Sequence, residues 1–359
     1  MYLNILAMKY IVLTLSIILY QYSNIFGQNL NDFSNNWEAL SQVETTRNGL
    51  DTLEFIETLL SLEESDLFEF TYLTADNLGN LAGYDFKLER IIFFKKDNYK
   101  DINFLTDGLG RGPREMKLVR DLKFDKNGDI WAIDLDGGKI TLWSVKDELI
   151  KSFKPNRKHA RPYRIALCSN FLTILSEQYL AEGLYHSFDL NGAPINSFMT
   201  LNNTDRDDIR ILSNATYFRG DLKCHNNTIY HVGKFKNYIR KYDKNGNLIF
   251  SKRVIEFSGN PQPLLEIEKR SSRRKADVKT ISGNIEVVEG NLLVSFSGKR
   301  NPYFYLLDIY DLDGNYKFSY QFKHPTNEFT TDGNYIYTLE THREDRKKYI
   351  GKYKLPFLE

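Results

Sequence analysis

The sequence of 359 residues predicts an all-β fold, a six-bladed β-propeller of four-stranded antiparallel blades. The first observation behind this prediction is an internal repeat, in which a short polar turn is followed by a run of β-forming residues. The repeated stretches begin at Asp76, Asp125, Cys168, His225, Glu289 and Asp332. A strand-built repeat of roughly 40–60 residues is typical of propellers and other repeat arrays.

A second turn recurs later in the repeat, where an aromatic residue precedes an Asp-x-x-Gly sequence. The clear copies are Phe188–Gly192, Tyr242–Gly246 and Tyr310–Gly314. Asn-Gly and Asp-Gly between alternating apolar residues are a strong hairpin pattern, because such turns need the positive φ that Gly and Asn tolerate. Each repeat therefore predicts four strands in a meander, which at about 40 residues is the size of one propeller blade.

The composition agrees with a strand-rich chain. It contains 23 Tyr and 24 Phe but only 9 Pro, and aromatic residues suit the half-buried surface of a pleated sheet. The chain is also long enough for six blades, which need about 250–300 residues.

The blade boundaries follow from the repeat. We expect blades at about 66–107, 116–154, 161–200, 217–255, 278–323 and 324–359. The last blade has strands near Tyr335–Thr341 and Tyr349–Leu355 but lacks an outer strand, which would leave unpaired N–H and C=O groups at its edge. The segment Leu50–Leu60 is the candidate to fill this position and close the ring, and a short amphipathic helix is the alternative for it. The propeller would then span residues 50–359, after an N-terminal extension at residues 28–49.

The N-terminus predicts export. Lys9 is followed by the apolar run Ile11–Tyr20 and by a polar run that ends at Gly27. This is the order of regions in a secretory signal peptide, which we place at residues 1–27, so that the mature chain begins at Gln28. We therefore expect the protein in the periplasm, at the cell surface or outside the cell.

Two points about this segment stay open. An uncleaved membrane anchor is the alternative to a signal peptide, although the apolar run is shorter than the ~20 residues that a span requires. We expect no transmembrane segment in the mature chain. Translation can begin at Met1 or at Met8, and the second start gives a more ordinary short N-terminal region.

The only two cysteines, Cys168 and Cys224, fall in neighbouring blades at the ends of their innermost strands. An oxidising compartment permits a disulfide between them. The other interpretation is a pair of small buried apolar residues. A bridge needs Cα atoms within about 7 Å, and innermost strands of neighbouring blades diverge, so geometry favours the unbridged pair.

Two segments carry a resemblance to a known family. Asp101–Met116 contains Gly-x-Gly-Pro, and Phe124–Phe153 contains an Asp-x-x-Gly turn followed by an Ile-x-x-x-Asp strand. The pair resembles the NHL-type repeat, and the layout over residues 50–359 is similar to the secreted six-bladed β-propeller proteins common in Bacteroidota. Arg114 departs from the pattern, since Gly is commoner there. The resemblance implies the fold and the compartment much more than an activity.

No compact catalytic motif is present in the sequence. The run Gly108–Pro113 lacks the Gly-Lys-Ser/Thr ending of a phosphate-binding loop, and an inter-blade linker explains it better. The His residues are scattered without an HExxH motif or cysteine pairs at zinc spacing. The Asp-x-x-Gly turns lack the spacing of a calcium-binding EF-hand, and turn chemistry accounts for them.

The connections between blades are basic although the formal net charge of the chain is only +1. In a propeller these connections return to one face of the disc, so cations dispersed in the sequence gather in space and attract anions. Solvated charge on long loops is the alternative interpretation. The candidate ligand-binding residues of this linker face are Arg111, Arg114, Arg161, Arg164, Arg210, Arg273 and Arg274.

These observations favour an exported binding or interaction module, not an enzyme, which recognises a protein or an acidic glycan on its linker face. Nucleic acid is excluded as a partner by export and by the neutral overall charge, and we expect a monomer. We predict no cofactor for this function. The alternative is a metal-dependent NHL-type lyase or lactone hydrolase at the channel mouth, and only that function implies a divalent metal, Ca or Zn.

Overall fold

The computed structural model describes residues 42–357, except for 44–45, 48, 156–160, 181–182, 200–218, 235–237, 256–281 and 298–303. The described chain is all-β apart from one turn of 3-10 helix at Glu63–Ser65. It begins with two strands, β1 (Leu50–Thr52) and β2 (Phe55–Ser61), which join a sheet formed by the end of the chain.

Four separate sheets follow, each with four antiparallel strands in simple meander order. The first contains β3 (Phe70–Ala75), β4 (Leu81–Asp85), β5 (Arg90–Lys95) and β6 (Asn98–Phe104). The second contains β7 (Val119–Phe124), β8 (Ile130–Asp134), β9 (Lys139–Ser144) and β10 (Glu148–Phe153). The third contains β11 (Pro162–Leu167), β12 (Phe171–Leu180), β13 (Gly183–Asp189) and β14 (Pro194–Phe198). The fourth contains β15 (Gly220–His225), β16 (Thr228–Gly233), β17 (Tyr238–Tyr242) and β18 (Leu248–Arg253).

The remaining strands form one eight-stranded sheet. Its further members are β19 (Ser282–Val288), β20 (Asn291–Phe296), β21 (Phe304–Asp311), β22 (Tyr316–Thr331), β23 (Tyr335–Thr341) and β24 (Lys348–Lys354). The long strand β22 has two partners in turn. Residues up to Gln321 pair mainly with β21, whereas residues from Thr326 onward pair with β23.

The N-terminal strands complete this sheet. Phe55 lies opposite Tyr353, and β2 runs antiparallel to β24, so the prediction that the 50–60 segment pairs with the C-terminal strands is confirmed and the helix alternative is wrong. Strand β1 adds a parallel edge beside β22. The preceding chain is tied down as well, since Arg47 pairs with the buried Asp308 at 2.8 Å and lies over the ring of Phe296.

The recurrent Asp-x-x-Gly turns form because one carboxylate satisfies the turn backbone. In the third copy, Asp311 Oδ1 accepts from the backbone N–H groups of Asp313 and Asn315 at 2.9 and 2.8 Å. Gly314 adopts φ 75°, in the left-handed region that side chains disfavour. The same Asp-to-backbone pattern closes the turns at Asp189 and Asp243, so local chemistry fixes where these hairpins reverse.

The sheets pack face to face through aromatic residues. Tyr185 of the third sheet is completely buried, and its ring stacks on Phe198 with centroids 4.9 Å apart. Tyr242 of the fourth sheet packs against both rings at 5.2 Å. The high aromatic content of the sequence is therefore used between the sheets, where large flat side chains fill the space that the twist opens.

The first strands of the sheets surround a central channel. Contacts run from β3 to β7, β7 to β11, β11 to β15, β15 to β19, β19 to β22 and from β22 back to β3. This closed circle, with meander sheets radiating from it, is the architecture of a β-propeller.

The two cysteines form a disulfide, which corrects the expectation that geometry favours the unbridged pair. Cys168 follows β11 and Cys224 lies in β15, with Cα atoms 5.4 Å apart. The expectation failed because these strands do not diverge far enough at this level. They remain in contact, and both cysteines pack on the same core cluster as Ala166 and Leu222.

Candidate functional site

Three acidic residues in the channel join neighbouring first strands. Each carboxylate accepts a hydrogen bond from a backbone N–H of the next first strand around the circle. The pairs are Asp121 with Ile165 at 2.8 Å, Asp221 with Ile285 at 3.2 Å, and Glu328 with Leu73 at 2.9 Å. Because the acids are used in this way, each is held at a fixed place on the channel wall.

Two cations lie between the first two of these acids. Arg164 approaches Asp121 at 3.7 Å and Asp221 at 3.9 Å, and Lys123 approaches the same carboxylates at 3.9 and 3.8 Å. The side chains of Arg164 and Lys123 are only 11% and 14% exposed. Burial opposes the charged form of Lys123, but Asp121 and Asp221 outweigh it and raise the pKa of Lys123, so its ammonium stays charged. The network is therefore a buried arrangement of paired charges.

At the entrance to this network, β-bulges redirect side chains. The register with the second strand of the sheet shifts between Thr71 and Thr74 in β3, between Val119 and Asp121 in β7, and between Pro162 and Arg164 in β11. The bulges contain Tyr72, Arg120 and Tyr163. Tyr72 adopts φ 60°, a conformation that costs a residue with a side chain about 1–3 kcal/mol and is concentrated at functional sites. Bulges commonly re-aim a side chain beside such sites.

The redirected side chains meet further cations. Arg120 donates to the Tyr72 hydroxyl at 3.3 Å, and the Arg164 guanidinium lies 5.1 Å from the Tyr72 ring and 5.2 Å from the Tyr163 ring. The Arg219 guanidinium lies 5.3 Å from the centroid of the Tyr163 ring. Lys234 joins the group, since its backbone N–H donates to the Arg219 carbonyl at 2.7 Å and its ammonium is close enough for Tyr163, Arg164 and Arg219 to affect its pKa. We name the group Tyr72, Arg120, Tyr163, Arg164, Arg219 and Lys234 the channel-mouth cluster.

The position of this cluster follows from the topology. Arg120, Tyr163 and Arg219 lie at or just before the beginnings of first strands, where the connections between sheets enter. Lys234 follows β16, whose antiparallel pairing with β15 brings its end to the same level. The cluster therefore lies at the linker side of the channel.

The electrostatics favour a negatively charged ligand. Burial is the largest influence on Lys234 and lowers its pKa; Tyr163 and Glu328 oppose this effect, and Arg164 and Arg219 add to it. Burial also raises the pKa of Tyr72, which keeps its hydroxyl protonated. A lysine whose charged form is disfavoured by neighbouring cations gains stability when an anion binds beside it.

Deeper in the channel the charges are matched. Lys223 pairs with Glu286, and Glu286 also accepts a hydrogen bond from Thr330 at 3.3 Å. Thr330 in turn accepts from the backbone N–H of Ala75 at 3.3 Å. The polar groups of this layer pair with one another, whereas the channel-mouth cluster brings together four cationic side chains, of which Arg164 also contacts Asp121 and Asp221.

The structure separates the arginines that the sequence singled out. Arg164 lies inside strand β11, with its side chain in the channel. Arg111 is exposed on the connection between β6 and β7. Arg114 pairs with Asp107 and Asp147, and Arg161 pairs with Asp136. Arg210, Arg273 and Arg274 lie outside the described residues.

The residues predicted from the sequence did not include Tyr72, Arg120, Tyr163, Arg219 or Lys234. A basic or tyrosine residue near the start of successive first strands is a pattern that could have pointed to the first four of them. It is difficult to detect because these four positions come from four different repeats and the inward direction of Tyr72, Arg120 and Tyr163 depends on bulges.

Metal-binding geometry occurs outside this cluster. Within the described ranges, the group of residues whose donor atoms could hold a metal ion is His324, Glu340 and His342, on β22 and at the end of β23. None of the three belongs to the channel-mouth cluster.

Comparisons with known proteins support the fold. No protein-family model and no curated protein matches the chain. A catalytically inactive variant of virginiamycin B lyase from Staphylococcus aureus, in a structure with quinupristin, is similar with a TM-score of 0.50 and 16% identity over 80% of each chain. A Bacteroides fragilis protein named as exported is similar with a TM-score of 0.55 and 13% identity over 88% of this chain and 98% of its own.

At these identities the likeness shows the β-propeller fold alone. The part of the chain that the structure describes contains no helix with the length and apolar character of a membrane span.

Proposed function

We propose that this protein is an exported β-propeller that binds an acidic glycan at the linker side of its channel, through the channel-mouth cluster. The observation that carries the proposal is the use of bulges, including the positive φ of Tyr72, to bring tyrosines and arginines from separate sheets to one place. A strained backbone at the centre of such a cluster indicates a role beyond packing.

The residue types suit this ligand. Guanidinium groups of Arg120, Arg164 and Arg219 offer planar pairs of N–H donors that match a carboxylate or sulfate group. The rings of Tyr72 and Tyr163 provide flat apolar surface with a polar edge, against which the face of a sugar ring can pack. A glycan along which charged groups alternate with the faces of sugar rings would use both the guanidinium groups and the tyrosine rings. Among the described linker arginines, the exposed Arg111 would extend the positive surface outward, whereas Arg114 and Arg161 already pair with carboxylates.

The proposal includes a six-bladed ring. The eight-stranded sheet divides naturally within β22, whose first part would be the outer strand of one blade and whose second part would be the first strand of the next. The N-terminal strand β2 would then be the outer strand of the last blade. The circle of contacts among the first strands supports this division, since β22 contacts both β19 and β3.

Two observations support export. The disulfide between Cys168 and Cys224 is of a kind that persists in oxidising compartments. A structurally similar Bacteroides fragilis protein is named as exported. The predicted signal peptide at residues 1–27 lies outside the described residues, and it would place the mature chain beyond the cytoplasmic membrane.

The channel chemistry favours this function over a metal-dependent lyase or lactone hydrolase. An enzyme of that type would use convergent channel carboxylates as metal ligands. Here Asp121 and Asp221 face Lys123 and Arg164, and Glu286 faces Lys223. Carboxylates paired with cations suit the orientation of those cations toward an anion better than the coordination of an ion.

A binding titration tests the proposal. Fluorescent tetragalacturonate would be titrated with the mature protein at several salt concentrations. We expect binding that weakens as salt rises, because charges separated by more than about 10 Å are screened at 0.1 M. Charge-assisted hydrogen bonds are worth about 1.5–3 kcal/mol each, so Arg219→Gln combined with Lys234→Gln should weaken binding at least about tenfold.

The matched control is Lys126→Gln. Lys126 is exposed at the turn after β7, whereas Arg120 lies at the beginning of that strand. The substitution therefore removes a charge from the other side of the disc. Binding that is insensitive to the double substitution, or equally sensitive to Lys126→Gln, would contradict the proposal. Binding of polyglutamate but not of tetragalacturonate would instead identify an acidic protein as the ligand.

A further inference from the structure

A second chemical group lies where β22 passes from β21 to β23. His324 belongs to β22, Glu340 to β23, and His342 follows β23 immediately. One donor atom from each residue lies within 4.8 Å of the other two. Glu340 is completely buried, whereas both histidines are partly exposed, so solvent can reach the group from one side.

We propose that His324, Glu340 and His342 bind one divalent transition-metal ion of the zinc type. Two imidazoles and a carboxylate are a common set of three protein ligands for zinc, with the fourth position open to water or a ligand. Metal–donor bonds of about 2.0–2.1 Å at tetrahedral angles separate neighbouring donors by about 3.3 Å. Glu340 Oε1 and His342 Nε2 are 2.8 Å apart, so an ion that replaces the proton between them, which is released to solvent, requires this pair to separate by only about 0.5 Å.

The carboxylate is oriented by a second set of contacts. Its other oxygen, Glu340 Oε2, accepts hydrogen bonds from the hydroxyls of Thr338 at 3.1 Å and Tyr353 at 2.9 Å. These bonds leave Oε1 directed at the histidines. Outer contacts of this type are a regular feature of metal sites, where they fix the ligand before the ion arrives.

The backbone makes room for this carboxylate. A Cβ added at Gly351 of β24 would lie 2.7 Å from the Glu340 side chain, closer than real contacts allow. The absence of a side chain at Gly351 thus permits Glu340 to occupy a completely buried position across the sheet. A buried acid with this dedicated space, beside two histidines, distinguishes the group from a surface cluster.

The two imidazoles stack on one another, with ring centroids 3.8 Å apart and planes nearly parallel, and Tyr349 stacks on His342 at 4.1 Å. Because the lone pair of an imidazole nitrogen lies in the ring plane, binding of one ion by both histidines requires the rings to turn out of this stack. Phe55 of β2 contacts His324 edge-on at 5.7 Å. An ion bound here would connect β23 to β22 at the point where β22 passes from β21 to β23, close to the N-terminal strand β2. Metal binding should therefore stabilise the attachment of β2 as well as the site itself.

The experiment uses the mature protein without a polyhistidine tag, treated with a chelator and then dialysed. Cobalt(II) is added while visible absorption is recorded, and zinc(II) is titrated by calorimetry. We expect one ion per chain, intense cobalt bands of a four-coordinate site, and a higher melting temperature with zinc, since a ligand that binds only the folded state stabilises it. Calcium and magnesium prefer oxygen ligands and should not compete.

The variants are His324→Gln and His342→Gln, each of which should lower zinc affinity at least about tenfold. Loss of even a hydrogen-bond partner of a metal ligand typically lowers metal affinity about 10–100-fold. The matched control is His225→Gln, which removes a partly exposed histidine of β15 and should leave the affinity unchanged. Circular dichroism would verify that each variant is folded. The proposal fails if no stoichiometric binding occurs, if both histidine variants bind as tightly as the natural chain, or if calcium displaces zinc at equal concentration.

Discussion

Substitution of Arg164 by Met tests the buried charge network directly. The change removes the guanidinium that lies 3.7 Å from Asp121 and 3.9 Å from Asp221, while an unbranched side chain still fills the space. Removing one partner of a buried pair costs about 3–5 kcal/mol, because the remaining charge is left uncompensated. Lys123 still approaches both carboxylates, so we expect the lower end of this range, about 3 kcal/mol at pH 7.

The pH dependence gives the prediction a sign. Burial is the largest influence on Asp121 and raises its pKa, while Lys123 and Arg164 lower it. Without Arg164 the folded-state pKa rises further above the unfolded value. The folded variant then binds more protons than the unfolded chain between these two pKa values, so its stability increases as pH falls through that window. The loss in free energy of unfolding caused by Arg164→Met should therefore be largest at pH 7 and become smaller toward pH 5.

Urea unfolding of the natural chain, Arg164→Met, Asp121→Asn and the double variant would measure the effect at both pH values. The double variant should recover part of the loss, because Asp121→Asn removes one of the uncompensated charges. The reasoning would be refuted by a deficit below about 1 kcal/mol at pH 7, within the range of an ordinary exposed pair. A deficit that grows on acidification, or simple additivity of the two changes, would refute it equally.

Three further predictions concern separate features. Replacing Cys168 and Cys224 by Ser should lower the free energy of unfolding by about 4 kcal/mol, because the bridge closes a loop with a sequence separation of 56. A loss below about 1 kcal/mol in urea unfolding would contradict this prediction. Anion affinity should fall as pH rises from 7 to 10, since the lowered pKa of Lys234 means that it loses its proton at a lower pH than an ordinary lysine. In the same titration Lys234→Arg should make the affinity less dependent on pH. Tyr72→Gly should change stability by no more than about 1–3 kcal/mol, because glycine accepts φ 60°, yet it should weaken tetragalacturonate binding, and an unchanged affinity would exclude Tyr72 from the site.

The strand-and-turn pattern could be predicted because its causes are local. The carboxylate of Asp311 and the positive φ of Gly314 act within a single turn, so the residues that determine the hairpin are adjacent in the sequence. The pairing of the 50–60 segment with the C-terminal strands could also be predicted, although the two are distant in the chain. An incomplete last repeat leaves an edge whose backbone groups need partners, and that requirement is visible without a structure.

The site could be predicted only in part, because its geometry depends on neighbours from separate repeats. Arg164 was identified, but as a residue of a connection, whereas it lies in strand β11 and faces the channel. A shift of one residue reverses the face that a strand presents, and the bulge between Pro162 and Arg164 introduces such a shift. The disulfide was misjudged for a related reason, since the separation of Cys168 and Cys224 depends on how closely β11 and β15 approach.

The positive character of the channel mouth has a structural cause in the way the first strands are joined. Asp121, Asp221 and Glu328 each accept a backbone hydrogen bond from a neighbouring strand, and this use fixes them one layer inside the channel. Arg120 directly precedes Asp121, and Arg219 precedes Asp221 by two residues, so the cations of these strands lie toward the linker side. The fixed acids also hold Arg164, whose guanidinium lies 3.7 Å from Asp121 and 3.9 Å from Asp221, at the base of the channel-mouth cluster. The contacts that stabilise the ring therefore also position a cation for the anion of the proposed function, which connects the stability of the propeller to that function.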